Sequence, residues 1–235
     1  MQLFYNPSLD DSHSRFTFDA EESRHIVKVL RKKVGDLLHI TNGKGDLFEA
    51  RILTTDLKKC EVEITDKTKK HRKRYALHMA VAPTKSNDRF EWFLEKATEI
   101  GVSEITPIIC ERSERKIVKL ERIQKVVQAA MKQSLQLFLP KVNEAIPYTD
   151  FISTEREGFL YIAHCEESEK MDLMRRVLPD RDLTVLIGPE GDFSHEEINL
   201  ALEKGFLPVS LGENRLRTET AALVACTIVA VVNNE

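Results

Sequence analysis

Two periods of apolar and polar residues run along this chain, and the change from one to the other falls near residue 72. Before that point the apolar runs at 37–41, 47–53 and 60–65 are short and bounded by polar turn residues, which predicts strands. Asn42-Gly43-Lys44-Gly45 separates the first two runs and is strong hairpin-turn chemistry, because Asn and Gly tolerate positive φ. Segment 20–33 sets Ile26, Val27, Val29 and Leu30 among charged residues, the spacing of an amphipathic helix that Gly35-Asp36 ends. Residues 1–72 therefore read as a small β-rich barrel domain with one helix, bounded by the basic run 67–74.

Beyond residue 73 apolar strands alternate with longer helical patterns. Strands are expected at 75–82, 104–109, 159–164, 183–187 and 209–211. Helices are expected at 87–100, closed by Gly101, at 120–137, ending before Pro140, and at 218–232. Such alternation predicts an α/β domain over 73–235, with a parallel sheet covered on both faces and ligands at the carboxyl ends of its strands.

Composition narrows the class. With 42% hydrophobic and 31% charged residues in 235, this is an ordinary globular protein of one or two domains. The longest apolar run, 221–232, is too short to cross a bilayer and reads as a buried helix, so no membrane role is expected. No basic-then-apolar leader opens the sequence, and Cys60, Cys110, Cys165 and Cys226 are isolated, without C-x-x-C spacing. The expectation is four structural thiols in a reducing cytoplasm, with no metal and no disulfide framework. The net charge of −3 is unevenly spread, since residues 1–74 hold 16 Lys/Arg against 12 Asp/Glu. Arg24, Lys28, Arg31, Lys32 and Lys33 cluster on or just beyond the first helix, and 67–74 reads KTKKHRKR. Either cluster alone could be a solvated face; two in one small domain point to phosphate contact.

Phosphate-loop, dinucleotide-fingerprint, H-E-x-x-H and G-x-S-x-G motifs are absent. Two loops near the C-terminus carry the candidate chemistry instead: LIGPEGDFS at 186–194 and LGENRLRTETAA at 211–222. Gly188 and Gly191 flank Pro189 and Glu190, which presets a loop that exposes main-chain groups to a ligand. Ser194 with Glu197 forms a capping box that starts a helix. Gly212 ends a short strand, while Arg217 and Thr218 open the last helix, with Glu219 and Thr220 in its first turn. A Glu there suits the helix dipole, whereas an Arg does not, which singles out Arg217 as a functional candidate. His164, at the end of a predicted strand, can line the same pocket or serve the fold.

These two segments, with KSNDRFEWFLEKATEIGVSEITPIICERSERK at 85–116 and HIVKVLRKKVGD followed by ITNGKGDLFEARI, closely resemble the bacterial 16S rRNA (uracil-N3)-methyltransferase family of the SPOUT class. The likeness covers nearly the whole chain. It implies a trefoil-knotted parallel-sheet methyltransferase domain with an N-terminal PUA-like β-barrel, acting as a cytoplasmic homodimer on the small ribosomal subunit. It implies an S-adenosylmethionine (SAM) site from Gly188, Pro189, Glu190, Gly191, Leu211, Gly212, Leu216, Arg217, Thr218 and Thr220, with His164 at a neighbouring strand end. By the same resemblance Arg217 stabilises the uracil anion, and Glu219 or a water removes the N3 proton. Two departures stand out: the family commonly reads GPEGG where this chain has Gly191-Asp192, and it places an Arg where this chain reads Leu135-Gln136-Leu137. A non-catalytic RNA-binding module for ribosome assembly, or a knotted methyltransferase acting at another RNA position, remain alternatives.

Overall fold

The computed structural model describes residues 1–234. They form two compact units, one of Met1–Arg72 with Met131–Leu139 and one holding the remainder.

The first unit contains strands β1 (Leu3–Tyr5) and β2 (Arg15–Thr17), helix α1 (Ala20–Arg24), and strands β3 (Leu37–Thr41), β4 (Asp46–Ile52) and β5 (Glu61–Lys69). They make one sheet in the order β1-β3-β4-β5-β2, antiparallel apart from the β1/β3 pair. Phe4 on one edge strand and Phe18, just past the other, meet edge-on with ring centroids 5.4 Å apart. The sheet must therefore curl until both edges share one core with Ile26, Ile40, Phe48 and Val62, which is how a short sheet buries its apolar face. The predicted hairpin joins β3 to β4, with Gly43 at φ 73 and Gly45 at φ 102. A Cβ on Gly45 would lie 2.4 Å from the Phe138 ring, so the turn needs glycine for space as well as conformation. Gly45 N–H donates to Leu137 O at 2.9 Å, and Leu139 N–H donates to Gly43 O at 2.9 Å. These bonds explain why Met131–Leu139, read above as part of the second domain, packs with the first unit.

The helix expected over 20–33 is shorter and of mixed type. After Arg24 the chain widens into a π-helical turn, His25–Val29, closed by Leu30 N–H to His25 O at 2.9 Å. Ile26, Val27 and Val29 are β-branched and crowd an α-turn, and Arg31, at φ 54, then reverses the chain.

The second unit runs β6 (Leu77–Val81), α2 (Asn87–Ile100), β7 (Glu104–Ile109), α3 (Leu120–Gln133), β8 (Lys141–Val142), β9 (Ile146–Pro147), α4 (Tyr148–Ser153), β10 (Phe159–Ala163), β11 (Met171–Asp172), α5 (Leu173–Arg176), β12 (Leu183–Ile187), α6 (His195–Glu203), β13 (Leu207–Ser210) and α7 (Thr218–Asn233). Of these, α3 runs on into the segment that packs with the first unit. The sheet order is β11-β13-β10-β12-β6-β7-β8, with β9 beside β7 and every pair parallel. β12 is buried at all five positions, as expected of a parallel strand covered on both faces. One face is filled by Tyr148, Phe151, Phe193 and Ile198. α7 packs against β6, β12 and α2 with Ala222, Ala225, Cys226 and Val229 buried, the i, i+3, i+4, i+7 stripe of a core helix. Gly101 caps α2 in the left-handed conformation, φ 101, as its position predicted. The helix expected over 120–137 stops at Gln133, because Leu135 turns to φ 56 and frees Phe138 for the Gly45 contact.

Candidate cofactor-binding site

Past the carboxyl ends of β10 and β12, the two Gly-containing loops and the start of α7 enclose a cavity of ≈ 330 Å³. Gly188, Pro189, Glu190 and Asp192 come from the first loop, and Arg215, Leu216 and Arg217 from the second. Thr218 and Ala221 of α7 complete it, with Ala163, Cys165 and Ile187 from the strand ends. The lining combines apolar walls, backbone groups, two carboxylates and two guanidinium groups, a mixture suited to a small zwitterionic ligand with an aromatic part.

Side chains from distant parts of the second unit hold the first loop in place. Arg112 Nη1 donates to Gly191 O at 3.0 Å and to Phe193 O at 3.2 Å. Glu190 Oε1 accepts the Lys85 N–H at 2.9 Å, while Arg115 binds Thr84 O at 3.0 Å and Lys85 O at 2.6 Å. The capping box is formed: Ser194 N–H donates to Glu197 Oε2 at 2.9 Å, and Glu197 N–H donates to Ser194 Oγ at 3.4 Å. Glu197 Oε1 also accepts the Glu111 N–H at 2.8 Å. At Gly188 an added Cβ would stand 3.0 Å from the Phe193 ring and 3.1 Å from its backbone nitrogen, tight contacts that Phe193 would have to yield by a few tenths of an ångström to admit.

The second loop is attached through α7. Arg217 occupies the N-cap with extended backbone, φ −72 and ψ 155, and its side chain makes no capping bond. Next to it, buried Thr218 donates from Oγ1 to Gly188 O at 3.1 Å, tying one loop to the other. Glu219 is buried and faces α2, with Oε1 3.8 Å from Arg89 Nε.

Six of the sequence-predicted cofactor residues thus meet in one lining: Gly188, Pro189, Glu190, Leu216, Arg217 and Thr218. Gly191, whose Cβ position faces Arg112, and Leu211, Gly212 and Thr220 are not among the lining residues. Gly212 adopts φ 120 with open space around it, so its conformation, not its size, is what the turn uses. His164 is 8% exposed and lies outside the lining, while Ala163 and Cys165 on either side of it are lining residues. Alternation along an extended chain accounts for this. Burial, assisted by nearby Lys170, lowers the His164 pKa, and its Nδ1 has no hydrogen-bond partner.

The expectation of four structural thiols is corrected at one position. Cys60, Cys110 and Cys226 are buried, but Cys165 is exposed on the cavity wall. Sequence reasoning flagged Asp192 only as a departure from the family pattern and missed Arg215, Arg112 and Arg115; Arg215 lies inside the second motif, whereas no local signal ties Arg112 to Gly191 and Phe193, 79 and 81 positions away, or Arg115 to Thr84 and Lys85, 31 and 30 positions away.

In the first unit Arg24, Lys28, Arg31 and Lys33 are exposed, and Lys32 is half-buried with Nζ 3.5 Å from Leu37 O. Glu22, beside Arg24, is occupied by His25 at 3.3 Å and Lys132 at 3.1 Å, and Asp36, beside Lys33, accepts the Lys33 backbone N–H at 2.9 Å. Lys67 of the second basic run is instead committed to Asp11 and Asp46. Among the described residues no His/Cys/Asp/Glu group could hold a metal, and no helix is long and apolar enough to cross a membrane.

Residues 71–230 match an RNA methyltransferase domain model, and residues 18–65 match an RNA methyltransferase PUA domain model. The chain is 32% identical to ribosomal RNA small subunit methyltransferase E of Rickettsia conorii, over 99% of this chain and 96% of that one. A probable rRNA-methyltransferase from Porphyromonas gingivalis superposes with a TM-score of 0.90 at 40% identity, covering 99% and 98% of the two chains. Ribosomal RNA small subunit methyltransferase E from Neisseria gonorrhoeae, solved bound to S-adenosyl methionine, gives a TM-score of 0.84 at 28% identity, covering 99% and 98%.

Proposed function

The chain belongs to the family of RNA methyltransferases whose curated members are named ribosomal RNA small subunit methyltransferase E, and on that premise we propose that it is a SAM-dependent 16S rRNA methyltransferase acting on N3 of a uridine. The observation that carries this reading is the convergence of two separated Gly loops on one cavity with Arg217 at its edge. The donor set fits SAM: apolar Ile187, Leu216 and Ala221 for the adenine, Glu190 and Asp192 for positive charge, and Arg215 for a carboxylate. When bound, SAM supplies a methyl group already activated by a sulfonium, so the protein's task is alignment and charge.

Uracil N3 carries a proton and becomes nucleophilic only as negative charge spreads over O2, N3 and O4. Arg217, exposed at the cavity and free of a capping role, stabilises that charge. Its N-cap position fixes the backbone, while Thr218 anchors the loop to Gly188. Glu219 is turned toward Arg89, so its share in proton removal passes through a water; Glu219→Gln separates that route from direct loss to solvent. Entry of the base requires it to leave its stack. The basic cluster Arg24, Lys28, Arg31, Lys32 and Lys33 contributes phosphate contacts from the first unit.

The active form is a homodimer in the cytoplasm. Opposite its buried stripe α7 leaves Val224, Ile228 and Val231 incompletely covered, and Val231 is 53% exposed, an apolar face suited to a second copy. Light scattering at micromolar concentration checks the mass.

The decisive experiment is methyl transfer from labelled SAM to small subunits lacking the modification, with the product nucleoside identified by mass spectrometry. 3-Methyluridine is the expected product. Label in another nucleoside would move the acceptor while keeping the fold and cofactor; SAM binding without transfer would favour a non-catalytic RNA-binding role.

A further inference from the structure

Asp192 interrupts the cofactor loop with a charge. It is a non-glycine residue at φ 63, it lines the cavity, and its backbone N–H closes the loop onto Pro189 O at 2.9 Å. Its carboxylate cannot swing freely, because Oδ2 accepts the Cys165 N–H at 2.7 Å and Oδ1 accepts the Phe193 N–H at 2.9 Å. Both bonds come from neutral backbone donors, so they orient the carboxylate without cancelling its charge. Glu190, the other acid of the lining, is turned to the Lys85 N–H. The two cations of the cavity, Arg215 and Arg217, belong to the opposite loop.

We propose that Asp192 is a specificity-determining residue of the cofactor site: its fixed negative charge favours the cationic sulfonium of SAM over the uncharged thioether of the product S-adenosylhomocysteine. The inference rests on assigning this cavity to SAM. A charge held on the wall by dipoles acts on whatever charge the ligand carries, and methyl transfer removes one unit of it. The same carboxylate that strengthens binding of the donor thus has less hold on the product, which speeds exchange. The same charge bears on neighbouring Cys165, whose thiol pKa is pushed up by burial first and by Asp192 second, against Arg215 and Lys170. The hydrogen bonds by themselves would shape the cavity for both ligands equally.

The test is calorimetric affinity for SAM and for S-adenosylhomocysteine in the wild type, Asp192→Asn and Asp192→Gly, both residues that accept left-handed backbone. In each variant SAM should weaken about fivefold more than the homocysteine, a modest ratio because the site is partly open to solvent. Equal weakening of both ligands would make Asp192 a clamp only and overturn the proposal, as would no change in either. A second readout needs no cofactor: loss of the carboxylate should raise the rate at which N-ethylmaleimide labels Cys165 at neutral pH, and an unchanged rate counts against it. A third needs no variant. In wild-type protein the preference for SAM should shrink as salt rises from about 50 mM to about 500 mM, and a flat ratio contradicts a charge effect. Gly188→Val serves as the control for the cavity itself: if that variant binds SAM normally, the site assignment fails, independently of Asp192.

Discussion

The two loops of the cavity are built on different principles. The first, from Gly188 to Ser194, is cross-braced by Arg112, Lys85, Asp192 and Glu197, and a Cβ at Gly188 would press on Phe193. The second, from Leu211 to Arg217, has Glu213, Asn214 and Arg215 exposed, a glycine in open space, and one firm anchor through Thr218. One wall is a rigid cradle, and the other a cationic lip hung from a helix end. A cofactor needs the first to be preorganised, whereas a nucleotide arriving from solvent needs charge that is exposed.

Substitutions should divide along the same line. Arg217→Ala, on the lip, should lower turnover by roughly 10²–10³-fold while SAM affinity changes little, as expected when a group stabilises charge that develops only in the transition state. Single-turnover rates with calorimetry check this, and equal losses in both would make Arg217 a binding residue. Gly188→Val, in the cradle, should reverse the pattern: SAM affinity falls about 100-fold through overpacking against Phe193, with thermal stability reduced as well. Arg112→Ala removes two bonds to loop carbonyls and should weaken SAM about tenfold, with Lys at that position restoring part of the loss. If Arg112→Ala instead affects only turnover, the distinction between cradle and lip is wrong.

Two smaller effects sharpen the contrast. Replacing Arg31, Lys32 and Lys33 together by Gln should leave SAM binding untouched and reduce the slope of log affinity for RNA against log salt by about 3. An unchanged slope removes this cluster from RNA recognition. His164, beside the cradle, is held neutral by burial, its pKa lowered from the ordinary value of 6.5. The unfolded chain therefore binds the proton more readily, and this group's contribution to stability is lost as pH falls below 6.5 toward the folded value. Melting curves between about pH 7 and pH 5 should be flatter for His164→Gln than for the wild type.

Much of this was legible in residue order because it rests on local rules. The strands Leu37–Thr41, Glu104–Ile109 and Leu183–Ile187, helix Asn87–Ile100 and the Ser194 capping box follow from periodicity, caps and turn residues, each settled within a few positions. Where local signals misled, a distant partner decided. Helix α3 ended at Gln133, short of the predicted 137, where residues 134–139 close on the hairpin at Gly43 and Gly45. Of the candidate site, the two Gly motifs were visible, but not the arginines that brace the first of them.

By itself the sequence determined the parallel α/β unit, the β-rich unit before it, and the two loops that deserve a ligand, since hydrophobic period, glycine and proline act over one or two turns of chain. Tertiary structure alone decided that strand alternation turns Cys165 into the cavity and His164 away from it, and that Glu219 faces Arg89. It also set Asp192 as a fixed charge between two backbone N–H groups, one of them from Cys165, 27 residues earlier in the chain. Those outcomes depend on which strands become neighbours, and neighbours across a parallel sheet are set by packing of the whole unit, which no short window of sequence contains.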